Sequence, residues 1–175
     1  MTPTFLMEAM QKRIKDLLNG NYSSEQPSGN PPIKTKVPVE VYAGYPPFQD
    51  NAKARSSFIY ALVVQLKDDK ETSNAKMEIG FSIYDDDKND GWRSLYNLVE
   101  HVRQDLLKFP FLEKKYRLEP PLLFDIYDRE QPFPQWLGTI TANYSISHLH
   151  EEGFSYDDFQ EAQDGFGKYE RWKEK

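Results

Sequence analysis

The 175-residue chain contains no cysteine. This absence excludes thiol nucleophiles, thiolate metal sites and disulfide bonds together, and it is compatible with assembly in the cytosol. The sequence also lacks an apolar run that approaches the 18 residues of a transmembrane helix, and nothing in it resembles a signal peptide. We therefore expect no membrane partner.

The sequence has fewer basic than acidic residues. It contains 22 Lys and Arg residues and 28 Asp and Glu residues, which gives a net charge of −6. A general nucleic-acid binder would show the opposite balance, so we expect no sequence-specific nucleic-acid partner. The glycines are isolated and form no phosphate-binding loop, and the G-x-S-x-G motif of serine hydrolases is absent. The sequence thus predicts a protein that is not an enzyme and needs no cofactor or metal.

Apolar residues at helical spacing predict two amphipathic helices. The first runs to a stop at Gly20, and the second starts at about Gly91, with Asp90 as its N-cap, and is closed by Pro110. The predicted apolar faces comprise Leu6, Met10, Ile14, Leu17 and Leu18 in the first helix, and Trp92, Leu95, Tyr96, Val99, Val102 and Leu106 in the second.

Strand patterns occupy residues 37–41, 57–67, 77–83, 122–126 and 137–146. The second of these is apolar on both faces, as in a central strand that is covered on both sides. Pro120 and Pro121 would fix where the fourth can begin. Hairpin-length connections favour antiparallel pairing, so we predict an α+β domain over residues 1–150. Its mostly antiparallel sheet has about five strands, with both helices packed on one face.

Two segments differ in composition from this domain. Residues 21–35 are rich in Ser, Pro, Gly and Asn and predict a loop or linker. Residues 151–175 hold 8 acids and 4 bases, for a net charge of −4. We expect this acidic extension either to lack a fixed structure or to dock on a neighbour. Its aromatic residues are Phe154, Tyr156, Phe159, Phe166, Tyr169 and Trp172.

The run DDDKNDG, residues 85–91, is the most motif-like part of the chain. A calcium-binding EF-hand loop that starts at Asp85 needs glycine at its sixth position and glutamate at its twelfth, but Asp90 and Tyr96 stand there. The run is either an irregular cation site or an acidic loop before a helix. Similarly, His148 and His150 are either metal ligands or part of a solvated strand end.

Two loops combine proline with large aromatic rings, namely VYAGYPPF (41–48) and QPFPQW (131–136). Rigid aromatic residues on loops are typical anchors of protein–protein contacts, although they could also pack locally under a sheet edge. The candidate interaction residues in these loops and in the acidic run are Tyr42, Tyr45, Phe48, Asp85, Asp86, Asp87, Phe133 and Trp136.

The succession of elements resembles the tail terminator, or tail completion, proteins of long-tailed bacteriophages and prophages. The segments that carry the resemblance follow the N-terminal helix in the order PVEVYAGYPPF, FIYALVVQLKDD, KMEIGFSIYDDD, GWRSLYNLVEHVRQDLLKFP and PPLLFDIYDREQPFPQWLGTITANYSI. The similarity covers roughly residues 4–148. The polar insertion at 21–35 and the extension after residue 150 depart from the compact members of that family.

The resemblance implies a non-enzymatic virion protein, assembled in the cytoplasm of the bacterial host. Such a protein forms a hexameric ring that caps the tail tube, ends its polymerisation and meets the head–tail connector. Its partners would be further copies of itself, the tail-tube protein and the connector protein. The alternatives are another head–tail neck component, a non-phage protein-binding adaptor, or a metal-assisted enzyme that uses Asp85, Asp87 and Asn89 or the two histidines.

Overall fold

The computed structural model of the chain describes residues 3–19, 23–28, 33–47, 56–69, 72–127 and 131–146. Within these residues there are two helices, α1 (Pro3–Leu18) and α2 (Trp92–Lys108). The strands are β1 (Ser23–Ser28), β2 (Ile33–Pro38), β3 (Glu40–Ala43), β4 (Phe58–Asp68), β5 (Ser73–Tyr84), β6 (Phe111–Leu112), β7 (Tyr116–Ile126) and β8 (Gln135–Ile146). In these described parts no helix is both long and apolar enough to cross a membrane.

The larger sheet has six strands in the order β3-β4-β5-β8-β7-β6. Only its β3–β4 pair is parallel, and the connection over residues 44–57 is long enough for the chain to return between parallel strands. The other four pairs are antiparallel. The predicted α+β class, with two helices and a mostly antiparallel sheet, is confirmed, and the sheet has six strands where about five were expected.

Both helices contribute to one hydrophobic core with alternate residues of the central strands. Successive side chains of a strand point to opposite faces, so one face of β4, β5 and β8 supplies this core. On α2 the buried side chains recur at helical spacing, at Leu95, Leu98, Val99, Val102 and Leu106. Those of α1 are Leu6, Ala9, Met10, Ile14 and Leu18, and those of the strands include Ile59, Ala61, Met77, Ile79, Phe81, Ile140, Ala142 and Tyr144.

The start of α2 differs from the sequence prediction. Its N-cap is Gly91 rather than Asp90, and no side chain caps the helix. Asp90 instead forms an ion pair with Arg93, 2.8 Å from its Nε. Trp92 and Tyr96, which were predicted to face the core, are exposed. The buried stripe begins only at Leu95, and Trp92 and Tyr96 pack on each other beside it.

The predicted loop at 21–35 is also corrected. β1 and β2 form an antiparallel hairpin with Ser23 opposite Pro38 and Ser28 opposite Ile33. The polar composition hid this hairpin because its sequence lacks apolar alternation, the signal that reveals half-buried strands.

Prolines 120 and 121 do not mark the start of a strand. They lie inside β7, where the pairing with β8 shifts between Glu119 and Leu123. An edge strand tolerates this interruption because one side of its backbone has no ladder to maintain. β6 pairs only with the first two residues of β7, which leaves the rest of that strand at the edge.

A polar contact ties the two helices together. The Arg13 Nε lies 2.7 Å from Asp105 Oδ2, and another guanidinium nitrogen donates to the Asp105 carbonyl at 2.7 Å. A third, longer bond of 3.5 Å reaches the Phe111 carbonyl. One guanidinium therefore fastens α1 to the last turn of α2 and to β6.

Tyr144 offers a test of the packing beneath this contact. Its side chain is fully buried, and its hydroxyl has no hydrogen-bond partner within the described residues. A buried hydroxyl without a partner has lost its hydrogen bonds to water and has formed no hydrogen bond within the protein to replace them. We expect Tyr144→Phe to leave the free energy of unfolding in urea unchanged or to raise it by up to about 1 kcal/mol.

Tyr60→Phe is the matched control, because the Tyr60 hydroxyl donates to a Glu78 carboxylate oxygen at 2.7 Å. Removing that bonded hydroxyl should lower the free energy of unfolding by about 1 kcal/mol. Equal losses in the two variants would show that the Tyr144 hydroxyl does have a stabilising partner.

Candidate interaction surfaces

The acidic loop and the second aromatic loop meet at a corner formed by adjacent ends of the two central strands, β5 and β8. The backbone N–H of Asp85 donates to the Pro134 carbonyl at 3.0 Å. The indole N–H of Trp136 donates to the Asp85 carbonyl at 3.1 Å. Two of the three segments that the sequence singled out are therefore joined in space, although about 50 residues of chain separate Asp85 from Trp136.

Two carboxylates of this loop accept hydrogen bonds that fix the loop's conformation. Asp85 accepts hydrogen bonds from the Asp87 N–H at 3.0 Å and from the Ser94 hydroxyl at 2.6 Å. Asp87 accepts from the N–H groups of Asn89 at 2.8 Å and Asp90 at 3.1 Å. No group of three or more acidic or histidine side chains in the described ranges is placed to hold a metal ion. This geometry is that of an acidic turn before a helix.

The two aromatic residues of the second loop are placed differently. Phe133 is 45% exposed, and the Lys88 ammonium lies 5.6 Å from its ring centroid. Trp136 is partly buried against the hydrophobic core. Phe133 is thus exposed beside Lys88, whereas Trp136 joins the acidic loop to the core. Asp86 is exposed at the same corner.

Tyr42 lies in β3, at an outer edge of the sheet, and Tyr45 lies just after it. Tyr42 donates its hydroxyl to Glu40 and packs edge-to-face on Phe58, with 6.2 Å between ring centroids. Tyr45 follows Gly44, whose φ of +83° favours glycine, and is 79% exposed. Of the other candidates, Phe48, His148 and His150 lie outside the described residues.

An apolar groove of about 370 Å³ lies on the sheet face opposite the helices. We call it the aromatic groove. Its principal walls are Phe58 and Tyr60 of β4, Leu137 and Thr139 of β8, and Tyr127 just after β7. The Tyr60 ring lies over Gly80, where an added Cβ would come 2.1 Å from it, so this glycine makes room for the wall.

Sequence reasoning missed the aromatic groove. The apolar residues on both faces of β4 were a usable signal, but we interpreted them as a strand covered on both sides. The groove depends on pairing between distant strands, which sets Phe58 opposite Ser82 and Ser82 opposite Leu137. No local pattern in the sequence reveals that register.

Tyr42 gives a pH-dependent prediction. Its partial burial, the hydrogen bond to Glu40 and the charge of Glu40 raise the pKa of Tyr42 from 10.0 to about 12. The folded chain therefore holds this proton more tightly than the unfolded chain. The resulting stabilisation is complete below pH 10 and is lost as the pH rises towards 12.

An alkaline absorbance titration tests this assignment. We expect Tyr42→Phe to reduce the absorbance change near pH 12 by the amount of one phenol. The absorbance change near pH 10 should stay the same. Glu40→Gln should shift the same phenol to lower pH, since the neighbouring negative charge is gone. Loss of amplitude near pH 10 in Tyr42→Phe would contradict the assignment.

A second surface lies where the start of α2 passes the edge of β7. Trp92 and Tyr96 pack edge-to-face with centroids 5.4 Å apart, and Tyr96 packs in the same way on Phe124 at 5.7 Å. Leu123 lies on the other face of β7 and is 50% exposed. We call these four residues the β7 surface. Trp92, Tyr96 and Leu123 are exposed and Phe124 is partly buried, so exposed apolar side chains lie on both sides of the open β7 edge.

The two outer edges of the six-stranded sheet differ in how far their outward backbone groups are hydrogen-bonded. On β3 the side-chain amide of Gln11 donates to the Val41 carbonyl at 2.7 Å, so one outward backbone group is already satisfied. On β7 the Leu118 N–H bonds to the Pro110 carbonyl, but the described residues provide no partner strand beyond that point. The 122–126 stretch is therefore the more open edge.

The exposed side of α2 continues the apolar character of this edge. Leu107, Phe109 and Phe111 are all about half exposed at the far end of the helix. Between them and Tyr96 lies a charged pair, Glu100 and Arg103, in which two guanidinium bonds lower the pKa of Glu100 to about 2.

Compared with known proteins, the chain matches no family model and has no significant match among curated proteins.

Proposed function

We propose that the chain is a structural protein of a phage or prophage tail. In this proposal it assembles into a ring, a hexamer by its resemblance to tail terminator proteins, and ends the growth of the tail tube. The observation that supports the proposal is the presence of two unlike exposed regions at opposite edges of one sheet. These are the β7 surface on one side and the exposed Tyr45 loop on the other.

A closed ring needs such unlike surfaces. Each subunit must present one patch to the neighbour ahead and a different patch to the neighbour behind, because identical patches would close a dimer. The β7 surface supplies exposed aromatic rings and an open backbone edge. The capped β3 edge, next to Tyr45, opposes pairing between two β3 strands. Both features favour head-to-tail association.

The proposed partners follow from the same role. Further copies of the chain would form the ring, while the tail-tube protein and the head–tail connector would meet its two sides. The protein would be part of the virion, after assembly in the host cytoplasm, and would act without catalysis or a cofactor. A net charge of −6 suits a passage for DNA, since like charges repel phosphate.

The test is polymerisation of purified tail-tube protein in the presence of the chain. We expect tubes in negative-stain images to become shorter as the chain is added, with annular caps at their ends. Leu123→Lys places a charge on the β7 surface and should abolish capping. Phe5→Lys alters an exposed aromatic residue of α1 and is the matched control, which should cap normally. Tubes that keep the same length when the unmodified chain is added would overturn the proposal.

Two other roles remain as alternatives. A different neck component would bind the connector and leave tube length unchanged. A protein-binding adaptor is favoured by the aromatic groove, which is concave, apolar and walled by aromatic side chains. An adaptor would stay monomeric and bind a peptide without affecting tubes.

A further inference from the structure

We propose that the C-terminal segment, residues 151–175, docks into the aromatic groove of its own chain. The inference does not depend on ring formation, because it rests on the walls of the groove and on the reach of the chain, although Leu123 of the β7 surface lies on the same sheet face. The segment carries six aromatic residues and few other apolar ones, so it brings rings that need burial. The groove offers aromatic and aliphatic walls of the matching kind, Phe58, Tyr60, Tyr127 and Leu137.

The chain is long enough to reach the groove. β8 starts beside the groove and ends at Ile146, whose partners Ser73 and Tyr116 lie at the far end of the sheet. An extended strand rises about 3.3 Å per residue, so Leu137 and Ile146 are about 30 Å apart. The 13 residues from Ile146 to Phe159 span up to about 43 Å. A chain that turns after β8 can therefore bring Phe159 over its own groove.

The path from the end of β8 to the groove carries charges of both signs. Lys76 pairs with Asn143 and Arg117 pairs with Ser145, so both cations lie on the groove face of the sheet. The carboxylates on the same face include Glu78, Glu119 and Asp125, and Asp125 lines the groove. Arg117 is well exposed, and its guanidinium lies 3.7 Å from Glu119, a distance too long for a strong pair. The returning segment begins with Glu151 and Glu152, which would pass over these cations before the first ring arrives.

Attachment to the same chain favours this occupant over a free partner. A segment joined to its site by a short linker is held there at an effective concentration in the millimolar range. An aromatic contact with a dissociation constant below that concentration would then be mostly formed. A separate peptide with the same rings would need a far higher affinity to compete.

Photo-crosslinking of the full-length chain tests the proposal. Because the chain has no cysteine, Thr141→Cys provides a single attachment point for a benzophenone maleimide. Thr141 lies on the groove face, one alternation beyond Thr139, so the probe sits beside the groove without filling it. Lys12→Cys, on the exposed side of α1, carries the control probe. Products are separated by mass and mapped by peptide mass spectrometry.

We expect the Thr141 probe to capture residues 151–175 within single chains, with a yield about tenfold above that of the Lys12 probe. Adding Phe154→Ser, Tyr156→Ser and Phe159→Ser to the Thr141→Cys chain should reduce capture to the Lys12 level. Equal capture by the two probes, or capture that survives the serine substitutions, would overturn the proposal. So would capture found only in covalent dimers, since the segment would then occupy another copy's groove.

Discussion

Arg13→Met is expected to lower the free energy of unfolding by about 2–3 kcal/mol. The guanidinium and the Asp105 carboxylate are only 15% and 18% exposed, and they lie 2.7 Å apart. Methionine keeps much of the length of the side chain but removes the charge and every donor. Asp105 is then left with a poorly hydrated carboxylate, and the bonds that join α1 to α2 and β6 are lost. Urea denaturation measures the loss directly.

A surface ion pair provides the comparison. Lys67 and Asp69 lie 3.0 Å apart, but both side chains are more than half exposed. Lys67→Met should therefore change the free energy of unfolding by less than about 0.5 kcal/mol. If Arg13→Met costs no more than Lys67→Met, the contact between the helices does not stabilise the fold. A double-mutant cycle with Asp105→Asn would isolate the coupling between Arg13 and Asp105.

Gly91→Ala is expected to destabilise the chain by about 2–3 kcal/mol, although alanine normally favours helices. The backbone conformation at Gly91, with φ −57° and ψ −29°, suits any residue, so the cost is purely steric. An added Cβ would lie 2.5 Å from the Asp87 carbonyl oxygen and 2.7 Å from the Trp136 indole nitrogen. Neither atom can move without opening the corner that joins the acidic loop to β8.

Gly80→Ala is the informative comparison. The atoms nearest to its Cβ would be outer atoms of the Tyr60 side chain, and we expect this ring to rotate away with loss of its hydrogen bond to Glu78. The expected loss in free energy of unfolding is about 1 kcal/mol, the value of one such hydrogen bond. Urea denaturation of both variants separates the cases. A stabilised Gly91→Ala variant would show that Asp87 and Trp136 do not enclose Gly91 as described.

The sequence predicted the secondary structure wherever burial of one face requires apolar residues at regular spacing. The strict alternation around Met77, Ile79 and Phe81 located β5, and helical spacing located α1 and the core stripe of α2. It failed for β1 and β2, where polar residues show no alternation. It also failed at Pro120 and Pro121, because only the fold reveals that β7 lies at an edge. Whether a given aromatic residue is buried depends on what its element packs against, and this is why Trp92 and Tyr96 were misplaced.

The candidate surfaces were predictable only in part. Loop composition identified Tyr45 and Phe133, both of which are exposed. The meeting of the acidic loop with Trp136 and the assembly of the aromatic groove depend on contacts between distant strands. The β7 surface likewise arises where a helix lies beside a strand that is distant in sequence, as in the contact between Tyr96 and Phe124. Such surfaces follow from topology, which local periodicity does not encode.

The most direct test of the proposed ring is its mass in solution. Light scattering on the size-exclusion peak, at several concentrations, should give about six times the 20.5-kDa subunit, with annular particles in negative stain. Leu123→Lys should reduce the mass to that of one subunit, while Phe5→Lys should retain the ring. A 20.5-kDa species at every concentration, unchanged when tail-tube protein is added, would contradict the account.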